Sequence, residues 1–157
     1  YGPVPLVLID RPGGAYWHDW DSYLRKHLAA TGLVSPTDLS LYTITDDVRV
    51  AAEVIRTFYQ VYHSSRYVGE EFVMRLKIAI CDQDLDLLNR EFEDLVASGK
   101  ITQTTTALAG ELDDSIANLP RLVFKFERRD FGRLYQMIGK INQMGGDLCL
   151  DTHPESK

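Results

Sequence analysis

Apolar positions along the chain change period several times, and each change marks a predicted element. Pro5-Leu6-Val7-Leu8-Ile9 is a short continuous apolar run that stops at Asp10-Arg11-Pro12-Gly13-Gly14, the pattern of a strand buried on both faces of a parallel sheet. Trp17, Trp20, Tyr23, Leu24, His27 and Leu28 then share one helical stripe, and Gly32 supplies its stop. Ser35-Pro36-Thr37-Asp38 combines an N-cap, a first-turn proline and an acid near the positive end of a helical turn. Residues 41–44 read as a second strand. After Thr45-Asp46-Asp47, the positions Val48, Ala51, Ala52, Ile55, Phe58, Tyr59 and Tyr62 keep helical period. Residues 1–62 therefore predict β-α-β-α, the tail of a doubly wound parallel sheet. Two parallel strands are too few for a stable sheet of that type, so the flank of residues 5–9 is expected to be covered by upstream chain or another subunit.

His63-Ser64-Ser65-Arg66-Tyr67-Val68-Gly69 breaks the period, and residues 63–70 read as a linker. Beyond it Phe72, Met74, Leu76, Ile78 and Ile80 alternate with Val73, Arg75, Lys77 and Ala79, a half-buried strand. Asp82 is placed to cap a helix carrying Leu85, Leu88, Phe92, Leu95 and Val96; Gly99 ends it, and residues 101–105 alternate weakly as a strand. An acidic loop at residues 111–114 leads to Leu122, Phe124 and Phe126, one face of another strand. Asp130 then caps a helix with Phe131, Leu134, Tyr135, Ile138 and Ile141, stopped by Gly145-Gly146, with a last short strand at 147–151. Strand, capping Asp, helix, Gly, strand thus occurs twice. Two such β-α-β units make an α+β, ferredoxin-like βαββαβ domain over residues 71–151, and residues 152–157 are a tail.

Composition narrows the function without naming it. The 157 residues are 45% hydrophobic and 25% charged with a net charge of −6, an ordinary globular balance. No basic cluster exceeds Arg128-Arg129, which argues against nucleic acid, whose binding runs on neutralised phosphates. No apolar run approaches the roughly 20 residues of a membrane span. Cys81 and Cys149 lie far apart without metal-ligand spacing, so they read as two reduced, packed thiols in a cytoplasmic protein. Neither a metal nor a cofactor is expected.

Val4-Pro5-Leu6-Val7-Leu8-Ile9-Asp10 with Tyr16-Trp17, then Leu33-Val34-Ser35-Pro36-Thr37-Asp38-Leu39, then Thr45-Asp46-Asp47 before a helix ending Phe58-Tyr59, resemble the last third of the Lonely Guy family. The resemblance covers residues 4 to about 62. The branch it looks most like continues with Tyr62-His63-Ser64-Ser65-Arg66-Tyr67-Val68 and an appended α+β domain. The family is Rossmann-like and hydrolyses the N-glycosidic bond of nucleoside 5′-monophosphates, releasing base and ribose 5-phosphate. Its chemistry sits in a P-G-G-x-G-T-x-x-E motif, where glycine amides hold phosphate and the Glu acts on the ribosyl bond. Here Pro12-Gly13-Gly14 is followed by Ala15-Tyr16-Trp17-His18-Asp19-Trp20, with neither Gly-Thr nor Glu. The resemblance therefore implies that the motif lies upstream of Tyr1 and that no catalytic residue is present in this stretch. It also implies a nucleoside monophosphate as partner of the parent protein; a homo-oligomer is expected.

Two residue groups are candidate ligand contacts. Arg11, Gly13 and Gly14 follow a buried strand, where open α/β sheets place ligands, although glycine there also serves a plain βα turn. His63, Ser65 and Arg66 offer a ring, a hydroxyl and a cation for an anionic ligand, or simply a hinge. Asp46, Asp47, Asp82, Asp84 and Asp130 read as helix-start acids. Arg75, Lys77, Arg121 and Lys125 share the alternation phase opposite the apolar face, and four cations there suit an acidic partner surface or a small anionic effector; a solvated face is the alternative. A non-enzymatic module of the ACT-like kind, binding an effector between subunits, is the alternative to the enzyme reading.

Overall fold

The computed structural model describes residues 2–109 and 116–145 of the chain. In order, these form β1 (Leu6–Ile9), α1 (Tyr16–Tyr23), β2 (Tyr42–Thr45), α2 (Val48–Phe58), β3 (Tyr62–Val68), β4 (Glu71–Leu76), α3 (Asp82–Glu91), β5 (Val96–Thr104), β6 (Arg121–Phe126) and α4 (Phe131–Met144). The protein is mixed α/β, with a two-stranded parallel sheet β1-β2 and a four-stranded antiparallel sheet ordered β3-β4-β6-β5.

The first four elements follow the expected β-α-β-α order. α1 runs on into a π-helical stretch Leu24–Ala29, and the chain turns at Gly32. Ser35 caps the 3₁₀ turn Pro36–Ser40 through a full capping box with Asp38, and Asp47 caps α2 by accepting from the Arg49 amide. Side-chain acceptance at these two positions satisfies amides that the first helical turn leaves unpaired.

The linker predicted at 63–70 is instead β3 and its turn into β4. Tyr67 pairs with Phe72 and Ser65 with Met74 across the antiparallel ladder, with a bulge between Tyr62 and Ser64. The bulge and the polar composition hid its alternation. β3 takes the sheet edge beside β4, where the predicted βαββαβ plan puts a strand that follows the second helix; that predicted strand, 147–151, lies outside the described residues. β4 stops at Leu76 rather than continuing to Ile80, and Ile78 is exposed. Asp82 is the first residue of α3, not its cap; Cys81 before it makes no side-chain capping bond, and the helix ends at Glu91. A 3₁₀ turn Glu93–Leu95 then delivers β5 five residues before the predicted start, with Gly99 falling in an irregular stretch of that strand.

The core lies on one face of the four-stranded sheet. Phe72, Met74, Leu76, Leu122, Phe124 and Phe126 meet Leu88 from α3 and Leu134, Met137, Ile138 and Ile141 from α4. Each such side chain, fully buried, stabilises the fold by about 1.5–3 kcal/mol before conformational entropy is counted. Residues 2–58 are different: Ala51 is the one buried side chain among them, while Val4, Leu6, Ile9, Val48, Val50 and Ile55 are exposed. This layer is held by α4. The Tyr135 hydroxyl bonds both the amide and the carbonyl of Val4, Gln136 donates to the Ser40 hydroxyl at 2.9 Å, and Thr37 donates to Asp130 at 2.8 Å.

The reduced thiol expected at Cys81 is overturned, since Cys81 is disulfide-bonded; Cys149, expected to be a second reduced thiol, lies outside the described residues.

Candidate functional site

The carboxyl ends of β1 and β2 form the place where an open parallel sheet accepts ligands. The ladder continues one step beyond β1, the Asp10 amide donating to the Thr45 carbonyl at 3.1 Å. The chain then turns tightly, with the Gly14 amide donating to the Arg11 carbonyl at 2.8 Å and Gly13 at a φ of +70° that favours glycine. Gly14 is required by packing as well, since a Cβ there would sit 2.3 Å from the Asp10 carboxyl group.

That carboxylate organises the loop. Asp10 accepts from the Arg11 amide at 2.8 Å and from the Tyr16 amide, at the start of α1, at 2.9 Å. Asp46, in the loop after β2, accepts from the Gly13 amide at 2.9 Å and ties the two loops together. Asp47 holds the start of α2 and pairs with the Arg49 guanidinium at 2.9 Å; the Arg49 hydrogen bonds hold its carboxyl below the usual aspartate range. The amides of Gly13, Gly14 and Tyr16 are thus committed to oxygen atoms of the chain itself. The loop is a built turn, and Arg11 is exposed beside it.

His63, Ser65 and Arg66 all lie on β3. The His63 Nδ1 pairs with the Ser64 hydroxyl at 2.9 Å, Ser65 pairs with the Tyr62 hydroxyl at 3.0 Å, and Arg66 is exposed. Ser65 is therefore engaged with the core edge, not presented beside Arg66.

The four cations opposite the apolar face do not form one open surface. Arg75 and Arg121 are cross-strand partners and are buried, at 4% and 0% exposure. Arg121 donates to the carbonyls of Thr105, Leu119 and Ile116, so the residues next to β5 and β6 on either side of their connection close on it. Arg75 reaches the Ser64 hydroxyl at 3.2 Å. Lys77 donates to the Tyr59 carbonyl, and Lys125 pairs with Glu70 at 3.1 Å. Alternation correctly put Arg75, Arg121 and Lys125 on one face; it could not show that the carbonyl groups of Thr105, Ile116 and Leu119 close on Arg121 there.

Two further features lie outside the predicted candidates, although the i,i+4 spacing of Asp21 and Arg25 in the first is a local signal. Tyr42 donates to Asp21 at 2.5 Å, and Arg25 donates to the same carboxylate at 2.7 Å. The Arg25 and Tyr42 hydrogen bonds lower the Asp21 pKa, while burial, followed by the bond to Asp21, pushes Tyr42 up to about 12. A groove of about 490 Å³ also runs between α2, α4 and the starts of β1 and β2, walled by Leu6, Leu41, Val54, Phe58 and Tyr135. Its walls come from separate elements, which only the packed fold brings together.

Among the described residues no three His, Cys, Asp or Glu side chains are placed to hold a metal ion, and no helix is long and apolar enough to cross a membrane. No family model, curated protein or solved structure matches the chain.

Proposed function

We propose that this chain is the C-terminal part of a nucleoside 5′-monophosphate phosphoribohydrolase of the Lonely Guy kind. The observation that carries the reading is the parallel pair β1-β2. Its carboxyl-end loops are fastened together by Gly13 and Asp46, while Leu6 and Ile9 remain exposed, as expected of strands that belong to a larger, two-sided parallel sheet. In this reading further strands outside the sequence complete a doubly wound sheet and bring the phosphate-holding glycines and the catalytic Glu. The substrate is a nucleoside monophosphate and the protein acts as a homo-oligomer. The four-stranded unit, whose β4-α3-β5-β6-α4 succession follows a ferredoxin-like plan, serves assembly or control. A cytoplasmic location goes with that chemistry and is in tension with the disulfide at Cys81, because disulfides persist mainly in oxidising compartments.

The position of the core favours a second reading. Nearly all buried side chains lie between Val61 and Met144, so the four-stranded unit has its own hydrophobic centre and suits an ACT-like effector-binding or oligomerisation module without enzymatic activity.

Base release from a panel of purine and pyrimidine nucleoside monophosphates separates the two. The parent protein containing this chain is expected to release base, and the 157-residue chain alone to release none. A parent inactive on every nucleotide leaves the module reading. Turnover by the chain alone, abolished by a substitution within it, overturns the proposal that its catalytic groups lie elsewhere.

A further inference from the structure

We draw no further inference here: the strongest candidate, the apolar groove between α2, α4 and the starts of β1 and β2, carries nothing because nothing among the described residues shows what covers it.

Discussion

The carboxamide oxygen of Asn142, on α4, accepts the backbone amide of Val61 at 2.8 Å, just before β3 begins. The same oxygen accepts from Tyr62 at 3.0 Å, and the Asn142 nitrogen donates to the Phe58 carbonyl at 2.8 Å. One side chain, 3% exposed, thus completes three main-chain groups where α2 hands over to β3. Asn89 does the same for both polar groups of Ile101, and Gln103 for those of Ile80.

Replacing Asn142 by Leu leaves two amides and a carbonyl without their partner in a dry site. The expected loss is about 2–4 kcal/mol, from the desolvation penalty of buried unpaired groups. Urea unfolding should show a lowered midpoint with an unchanged slope. A change below about 0.5 kcal/mol, the level of an ordinary surface substitution, would mean that water or a shifted backbone replaces the amide.

Two glycines of α4 should respond in opposite directions. A Cβ on Gly132 would stand 2.1 Å from the Thr37 carbonyl oxygen, so Gly132→Ala has to push α4 off the 36–40 turn. That overpacking should cost about 1–3 kcal/mol. A Cβ on Gly139 meets nothing within 4 Å, and Gly139→Ala should stabilise by about 0.5–1 kcal/mol through helix propensity. Thermal melts of both variants test the pair; a stabilised Gly132→Ala protein would show that the close contact between α4 and Thr37 is not held in solution.

The cluster of Asp21, Arg25 and Tyr42 makes stability depend on pH at both extremes, through the Arg25 and then the Tyr42 bond at Asp21, and through burial and then the Asp21 bond at Tyr42. Asp21 has its pKa lowered from 3.8, so its contribution is present above that ordinary value and is lost as pH falls through the lowered folded-state value. Tyr42 is raised from 10.0 to about 12, so its contribution is present below pH 10 and is lost as pH rises from 10 towards 12. Tyr42→Phe should flatten the melting-temperature profile in the alkaline window and weaken its acid fall. An unchanged profile would remove Tyr42 from the account.

The cysteines can be counted directly. With Cys81 in a disulfide and two cysteines in the sequence, the denatured, unreduced chain should show fewer than two thiols towards an aromatic disulfide reagent. After reduction it should show two. Two thiols before reduction would restore the reading of packed, reduced cysteines.

Several element boundaries were legible from a local physical rule, while the Asp82 cap and the Gly99 stop expected on the same grounds were not found. Asp47 and Asp130 cap their helices as their positions imply, Gly145 closes α4, and the alternation of Phe72, Met74, Leu122 and Phe124 marks the face that the helices cover. These signals depend on neighbours a few residues apart. β3 was missed because its alternation is interrupted by a bulge and its residues are polar, so it became a strand through its partner β4.

The candidate site divides along the same line. That Pro12-Gly13-Gly14 turns sharply after a strand could be read from residue types, but that Asp46 and Asp10 consume the turn's amides could not, since Asp46 arrives from the second strand. Likewise the sequence alone determined that Arg75 and Arg121 share a sheet face, because side chains alternate along any strand. Only the tertiary structure decided that both are buried there. Burial depends on what closes over each guanidinium, the Ser64 hydroxyl of the neighbouring strand at Arg75 and the backbone carbonyls of Thr105 and Ile116 at Arg121, and alternation along a single strand carries no information about either.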